Sequence, residues 1–560
     1  MPTPPPTRWG PLALAILCCC GAAAQRGAAK DAAALPSDFC SQRAMARYSH
    51  PSSCSDFVTC FGGAVWSEAR CPACPVPSPA CAGQAGLAFD EGSQRCVWPS
   101  QLCSPTCPRG CPGGTYKPAA ANATSDGATA PAPPAPAPPH TYLLVWAGPA
   151  NSSLCNDALF VVDADPHSPA FGQIVAVAEA PTGGNEPHHV GLSQDGQVLA
   201  VGGLLAVLKG QPDILFFNVS DPLNPSFLTA ADPPLSAVTD EFVPMPGGGF
   251  LVSMMGSANG SAPGNIVIIN PDLTVAGEYP ADPPTDGFNP HGIAVDFKRG
   301  RMVSADYVLP ASTLLPSPAP VFRTTFRVWD LNNMSIIKTF NVGPEHANGM
   351  MESRMLGDTG MAMVSTGRGI FYGVNLSNPD AGTKPVTYVG NETNHCLAAV
   401  FANGTRAVVS VFGMDIVQLY DTSDPWHYVM LQEHYLPAGS GPHYITLSPD
   451  HSMAAVSTYF LDEGGAGLVK MGGSRQIHMF DIVDGGNRVV PNAILPAIDF
   501  KVAAMEATGS YQCGPWRPHG MAFKQAPAGS GAAPAGTAQA TSTLQPTVQP
   551  RVAASAGYAG

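Results

Sequence analysis

The sequence predicts an all-β protein: a seven-bladed β-propeller preceded by a small disulfide-rich module. A short motif, a histidine or acidic residue at the start of an apolar strand, recurs after His188 at steps of 52, 51, 55, 49, 48 and 76 residues. Gly and Pro number 59 each, whereas charged residues make up only 12%. Repeats of about 50 residues are typical of stacked four-stranded units, and turn-rich composition is typical of all-β chains.

Residues 1–24 are predicted to be a secretory signal peptide. Arg8 precedes an apolar run at 12–20, and Ala22-Ala23-Ala24 offers a cleavage site. The run is too short to span a bilayer comfortably, and no later stretch is apolar enough, so we expect no membrane span. The alternative is that the segment remains as an uncleaved anchor. We therefore predict a secreted, extracellular protein. Eight glycosylation sequons agree with this localisation: Asn122, Asn151, Asn218, Asn259, Asn333, Asn375, Asn391 and Asn403.

Residues 37–112 are predicted to form a small module held by disulfides. Ten of the sixteen cysteines lie between Cys40 and Cys111, and long apolar runs are scarce there. In a secreted chain such a cluster indicates a disulfide framework, each bond contributing roughly 2–4 kcal/mol. Cys71-x-x-Cys74 could instead bind zinc, but no second pair at zinc-finger spacing supports that alternative.

This module resembles the type-2 (peritrophin-like) chitin-binding domain. The resemblance rests on Cys54-Ser-Asp-Phe-Val-Thr-Cys60-Phe-Gly-Gly, on Gly86-Leu-Ala-Phe89-Asp90 and on Cys96-Val-Trp98-Pro99. It implies binding of chitin or a related N-acetylglucosamine glycan. It also implies three disulfides: Cys40–Cys60, Cys54–Cys103 and a bond from Cys96 to Cys71, Cys74 or Cys81, of which we select Cys71–Cys96.

Exposed aromatic rings stack on the apolar faces of sugars, and Phe61, Trp66 and Trp98 are our candidates for this contact. Trp98 could instead fill the small core. After this module, residues 113–139 are rich in Ala and Pro and predict an extended linker. Residues 526–560, which have almost no charge, predict a disordered tail.

Residues 140–525 are predicted to form the propeller, with four short strands in each unit. The clearest strands are the apolar third strands, at 159–163, 214–219, 266–270, 326–330, 416–421 and 477–481. The last unit lacks strands after His519, and the N-terminal strands lack an inner strand before them. We therefore expect both chain ends to share one closing blade, with a Cys155–Cys513 disulfide across it.

Equivalent positions on the inner strands of a propeller face one axis, so the repeated histidines are predicted to form a metal-binding ring. Imidazole is a good ligand for copper, zinc or iron. The predicted ligands are His188, His189, His291, His443 and His519, with His395, Glu241 and His346 as second choices. A single histidine at the start of a strand is usually a hydrogen-bonded structural residue, and it is the recurrence of six in phase that favours the metal-binding ring.

The propeller resembles the selenium-binding protein / methanethiol oxidase family. The resemblance rests on several motifs, among them Asp163-Ala-Asp165-Pro-His-Ser-Pro169, Pro187-His188-His189, Asp286-Gly-Phe-Asn-Pro-His291-Gly292 and Arg327-Val-Trp-Asp-Leu331. It implies copper-dependent oxidation of methanethiol to formaldehyde, hydrogen sulfide and hydrogen peroxide. It also maps the family's histidine pair onto His188 and His189, and its C-terminal histidine onto His519. The chitin-binding-like module and the signal peptide depart from the family pattern.

The formal net charge of −14, without a basic patch, argues against nucleic acid as a partner. The sequence has no phosphate-binding loop or nucleophile elbow, and we assign no catalytic residue. We predict a secreted metal-dependent oxidase, with copper as cofactor, that oxidises a small thiol with dioxygen and is tethered to chitin or a related glycan. The alternative is a non-catalytic extracellular glycan-binding propeller that serves as an interaction platform.

Overall fold

The computed structural model describes residues 139–526 except 316, 318, 391–394 and 463–469, together with the backbone of five strands nearer the N-terminus. Three of these five strands form one antiparallel sheet and two form a hairpin. They are β1 Ala46–His50, β2 Ser53–Phe61, β3 Ala64–Arg70, β4 Ala88–Asp90 and β5 Arg95–Val97.

Several predictions concern residues outside this description. These are the signal peptide, the linker up to residue 138, the tail from 527, the partners Cys40, Cys71 and Cys103, and Trp98. The side chains of Phe61 and Trp66 also lie outside it. The chitin contacts and the three N-terminal disulfides therefore stay predictions.

The remaining strands form a seven-bladed β-propeller, which confirms the predicted all-β class and the predicted number of blades. Blade 7 contains the N-terminal strands β6 His140–Pro149, β7 Ala158–Asp163 and β8 Ile174–Glu179. Blade 1 contains β9 Pro187–Leu192, β10 Val198–Gly203, β11 Ile214–Asn218 and β12 Ser226–Ala231. Blade 2 contains β13 Ser236–Pro244, β14 Phe250–Ser257, β15 Asn265–Ile269 and β16 Val275–Tyr279. Blade 3 contains β17 Pro290–Asp296, β18 Arg301–Asp306, β19 Thr325–Asp330 and β20 Ser335–Asn341.

Blade 4 contains β21 Met350–Met355, β22 Met361–Thr366, β23 Ile370–Asn375 and β24 Thr383–Tyr388. Blade 5 contains β25 Cys396–Val400, β26 Arg406–Val411, β27 Ile416–Asp421 and β28 Val429–Tyr435. Blade 6 contains β29 Ile445–Leu447, β30 Met453–Ser457, β33 Ile477–Val483, β34 Arg488–Pro491 and β35 Ala497–Ile498, with a hairpin of β31 Leu461–Asp462 and β32 Lys470–Met471 inserted after β30. The inner strand of blade 7 is β36 Trp516–Ala526.

Within the described residues the helices are short and lie in the connections. They are α1 Ala206–Lys209, α2 Ala311–Leu314 and α3 Phe500–Thr508, with 3₁₀ turns at Pro379–Ala381, Phe412–Met414, Asp484–Gly486 and Tyr511–Cys513. The β31–β32 hairpin and α3 account for the long 76-residue step from His443 to His519. Within the described part of the chain, no helix has the length and apolarity needed to cross a membrane.

Both chain ends build blade 7, as predicted. Strand β36 pairs antiparallel with β6 from Trp516 opposite Pro149 to Ala526 opposite His140. A disulfide joins Cys155 to Cys513 across the same blade, with the two Cα atoms 5.5 Å apart. The C-terminal strand β36 is thus the inner strand of blade 7, and the N-terminal strands β6, β7 and β8 complete the same sheet. This pairing closes the circle of blades.

The core lies between adjacent blades. Every residue of β7 and of β15 is buried, because neighbouring blades cover both faces of these strands. In the outer strands β12 and β28, nearly all side chains are exposed or partly exposed at the rim. This packing fixes each inner strand at the axis.

The inner strands of five blades carry a β-bulge at the same level. In β13, Thr239 pairs with Met254 and Phe242 pairs with Val252, so two residues lie opposite the single residue Ser253. Bulges re-aim side chains and are frequent beside functional sites. The five bulged pairs are His188-His189, Asp240-Glu241, His291-Gly292, Met351-Glu352 and His519-Gly520.

Candidate metal centre

The five bulges, together with the residues that precede the inner strands of blades 5 and 6, bring buried histidines and carboxylates together on the propeller axis. We call the following residues the axial cluster: His188, His189, Asp240, Glu241, His291, Glu352, His395, His443 and His519, all of which are buried. The rings of His188 and His189 stack in parallel with centroids 4.4 Å apart, and the His519 ring lies 4.2 Å from that of His188. Residues that are 331 positions apart in sequence therefore meet at the axis.

Serines on the second strands hold the backbone of the axial cluster in place. The Ser253 hydroxyl accepts the Glu241 N–H at 2.9 Å, and the Ser365 hydroxyl accepts the Glu352 N–H at 3.1 Å. The Ser457 hydroxyl donates to the His519 carbonyl at 3.1 Å. These bonds satisfy backbone groups that the bulges leave without ladder partners.

One side of the axial cluster is charged. Asp240 bridges two histidines, with Oδ1 3.1 Å from His188 Nε2 and Oδ2 2.8 Å from His291 Nδ1. Glu352 Oε1 lies 3.3 Å from the same nitrogen of His291. Arg354 lies beside this group, and its Nη1 atom is 3.1 Å from both Glu241 and Glu352.

The carboxylates control protonation on this side. Burial acts to lower the pKa of His291, but Asp240 and Glu352 outweigh burial and raise it to about 10. Burial acts to raise the pKa of Asp240, but His291 and His189 outweigh it and hold this pKa well below its usual range. These opposite shifts favour a carboxylate on Asp240 beside an imidazolium on His291.

The other side of the axial cluster is neutral. Burial, reinforced by neighbouring histidines, holds the pKa values of His443 and His519 well below their usual range. Burial likewise lowers the pKa of His395 to about 4. Both ring nitrogens of His443 and of His519 are buried and make no hydrogen bond. A buried polar group without a partner costs about 1–3 kcal/mol, so these nitrogens are suited to accept a ligand.

Three groups in the axial cluster have ligand atoms close enough to hold a metal ion. In each group the atoms lie within 4.8 Å of one another: His188, His189 and His519; His188, Asp240 and His291; His189, Glu241 and Glu352. The first group is made of imidazoles alone, which suits copper, zinc or iron. In the third group Arg354 already lies between the two carboxylates.

The structure brings most of the predicted ligands together. His188, His189, His291 and His519, and the second choice Glu241, belong to the three groups. The predicted ligand His443 and the second choice His395 belong to the axial cluster but to none of the groups.

His346 does not belong to the axial cluster. Its side chain is half exposed and lies 3.9 Å from Glu345, because it precedes β21 in a turn. The axial position of blade 4 belongs to Glu352, which sequence reasoning missed. Aligning the units on the second strand could have found it, since Ser253 and Ser365 follow Glu241 and Glu352 by 12 and 13 residues.

Fold and site together define a class of protein: a seven-bladed propeller with a buried histidine and carboxylate cluster on its axis. No protein-family model matches the chain, and no curated protein matches it. The fold is similar to that of a hypothetical selenium-binding protein from Sulfolobus tokodaii, with a TM-score of 0.56, 16% identity, and coverage of 71% of this chain and 96% of that one.

Two other solved structures are similar over most of their length. The periplasmic gluconolactonase of Pseudomonas aeruginosa gives a TM-score of 0.48 and 11% identity, over 69% of this chain and 100% of that one. Hydrazine synthase of Kuenenia stuttgartiensis gives a TM-score of 0.41 and 13% identity, over 66% of this chain and 100% of that one. At these identities the similarities concern the fold alone.

Proposed function

We propose that the axial cluster binds one copper ion through His188, His189 and His519, and that the protein is a secreted copper-dependent oxidase of a small thiol. The observation that carries the proposal is the convergence of three buried imidazoles with ligand atoms within 4.8 Å. The free nitrogens of His519 and the free Nδ1 atom of His188 fit a metal ligand set. When bound, copper supplies a redox centre that can accept electrons from a thiol and pass them to dioxygen.

The resemblance to methanethiol oxidases suggests the reaction. For methanethiol the balanced reaction converts one molecule each of the thiol, dioxygen and water into one molecule each of formaldehyde, hydrogen sulfide and hydrogen peroxide. Carbon loses two electrons in this reaction, and dioxygen gains two. The side chains of the axial cluster exclude bulk water, since His189 and His519 are fully buried. Asp240 orients His188 through its contact with Nε2, as carboxylates commonly do for metal-binding histidines.

The first experiment is elemental analysis of the secreted protein beside a His188→Ala/His189→Ala variant. We expect about one copper per chain in the wild type and loss of copper in the variant, because removal of two of three ligands abolishes the site. The half-exposed His346 supplies the control, and His346→Ala should keep the metal. Wild-type protein that resists copper loading would favour the non-catalytic interaction platform instead.

The proposal includes secretion and glycosylation. Three sequon asparagines, Asn259, Asn333 and Asn403, are exposed in turns, where an attached glycan meets no packing. The Cys155–Cys513 disulfide suits an oxidising compartment. Mass spectrometry of the secreted protein before and after glycosidase treatment tests this proposal, and an unchanged mass would contradict it.

The proposal also includes tethering to chitin or a related glycan through the N-terminal module, on the motifs that carry the resemblance. Retention on chitin beads should fall sharply for a Trp66→Ala/Trp98→Ala variant, since aromatic rings supply most of the sugar contact. Tyr388→Ala on the exposed rim of the propeller is the matched control. Undiminished retention of the double variant would refute the aromatic assignment.

A further inference from the structure

The neutral side of the axial cluster contains two histidines that the three potential metal groups leave unused. His443 is 1% exposed and both of its ring nitrogens lack a hydrogen-bond partner. His395 is 6% exposed, and its Nδ1 atom also lacks a partner. Buried polar atoms are almost always satisfied in folded proteins, so these three nitrogens indicate a ligand that binds there.

Aromatic rings form the wall beside these nitrogens. The Phe460 ring lies 4.2 Å from the His443 ring and 4.9 Å from the His395 ring, measured between centroids. Phe412 packs behind Phe460 at 5.5 Å. The Tyr307 hydroxyl contacts His395 Nε2 at 3.3 Å and fixes that ring. These contacts place an apolar ring beside a small number of polar atoms, the combination of groups that ligand sites commonly use.

The site adjoins the imidazole triad. The His443 ring lies 5.0 Å from the ring of His519, which is one of the three proposed copper ligands. A molecule held by His443 and Phe460 would therefore lie next to the metal position. None of the four residues His395, His443, Phe460 and Tyr307 is an acid, a lysine or an arginine, and burial of an unpaired charged ligand against them would be costly.

We infer that His395, His443, Phe460 and Tyr307 form a substrate subsite that binds a small neutral molecule with a polar head and a short alkyl group. The head hydrogen-bonds to the imidazole nitrogens, and the alkyl group packs on Phe460. Short alkyl thiols have this chemistry. The identification with a thiol, though not the subsite itself, rests on the proposed function. His443 is then a substrate-binding residue and not a metal ligand.

The test is anaerobic isothermal titration of ethanethiol into the full-length protein after removal of metal by a chelator. His443→Phe removes both nitrogens and keeps a planar ring. We expect it to weaken binding roughly tenfold, which corresponds to about 1.4 kcal/mol, the scale of one buried hydrogen bond. His346→Phe, which alters an exposed histidine, should bind like the wild type. Phe460→Ala provides a second variant that removes the apolar contact and leaves both histidines in place.

Copper content of the same variants separates this inference from the proposed function. His443→Phe should retain the copper content of the wild type, because its ligand triad is intact. Loss of copper equal to that of His188→Ala/His189→Ala would make His443 a ligand and overturn the inference. Failure of the metal-free wild type to bind ethanethiol, or equal affinity of wild type, His443→Phe and Phe460→Ala, would overturn it too. A wild type that binds ethanethiol through His443 but takes up no copper would refute only the oxidase.

Discussion

Arg354 contacts two carboxylates that reach the axis from blades 2 and 4. Its guanidinium is 3.1 Å from Glu241 and from Glu352, and its Nε donates to the Ala398 carbonyl at 3.0 Å. Burial acts to lower the pKa of Arg354, but Glu241 and Glu352 outweigh burial and raise this pKa above its usual value. Without the cation of Arg354, the two carboxylates would leave an uncompensated buried negative charge.

Arg354→Met should therefore destabilise the protein strongly. We expect the free energy of unfolding to fall by about 3 kcal/mol, because a broken buried ion pair leaves its partners desolvated and unpaired. Chemical denaturation followed by tryptophan fluorescence measures the change. The control is Arg488→Met, which breaks the exposed pair with Asp484 at 3.0 Å and should cost less than about 1 kcal/mol. Equal losses in both variants would contradict this account of Arg354.

At the scale of elements, blade 7 joins the two ends of the propeller. Nine residue pairs connect β36 to β6, and helix α3 packs its Phe500 edge-on against Phe160 of β7 at 5.2 Å. Arg517, at the start of β36, lies 3.1 Å from Glu186, which directly precedes β9. Blade 7 is thus tied both within itself and to the first histidine-bearing strand of blade 1.

The Cys155–Cys513 disulfide should contribute strongly to this closure. It links positions 358 residues apart, and a crosslink over so long a loop greatly restricts the unfolded chain. We expect Cys155→Ala/Cys513→Ala to lower the free energy of unfolding by about 3–5 kcal/mol. Under reducing conditions the wild type and the variant should have the same free energy of unfolding. An advantage that persists after reduction of this bond would contradict the explanation.

At the scale of the whole molecule, the axial cluster exists only in the closed circle. Two of the three proposed copper ligands come from β9 of blade 1, and the third comes from β36 at the C-terminal end. The contact between the His188 and His519 rings spans the junction where the circle closes. An open propeller would separate the ligand set and expose the inner edge of β6.

Truncation of the chain after Gly514 tests this dependence. We expect the product, which lacks β36, to lose cooperative unfolding and to bind no copper, because β6 loses its pairing partner and His519 is removed. Calorimetry and elemental analysis measure both effects. Truncation after Ala526 keeps β36 and should behave like the full chain. A cooperatively folded, copper-binding product that ends at Gly514 would contradict the proposed closure.

Some features of the propeller axis follow from the spacing of residues in the sequence, and others do not. The seven occurrences of the motif from His188 to His519 predicted seven inner strands, and the unmatched strands at both ends predicted the shared blade 7. The same counting selected His346, six residues before the true axial position at Glu352. It failed there because a turn of variable length precedes each inner strand, and spacing alone does not reveal where the bulge begins.

Local periodicity and repeated motifs were enough to predict the all-β class, the number of blades and the histidines at their inner edges. Neither feature indicates that Glu352 and Arg354 belong to the axis, or that the cluster divides into a charged side and a neutral side. Bulge register and closure of the circle set which side chains converge. Convergence depends on distances between residues that are far apart in the chain, and these distances exist only after folding.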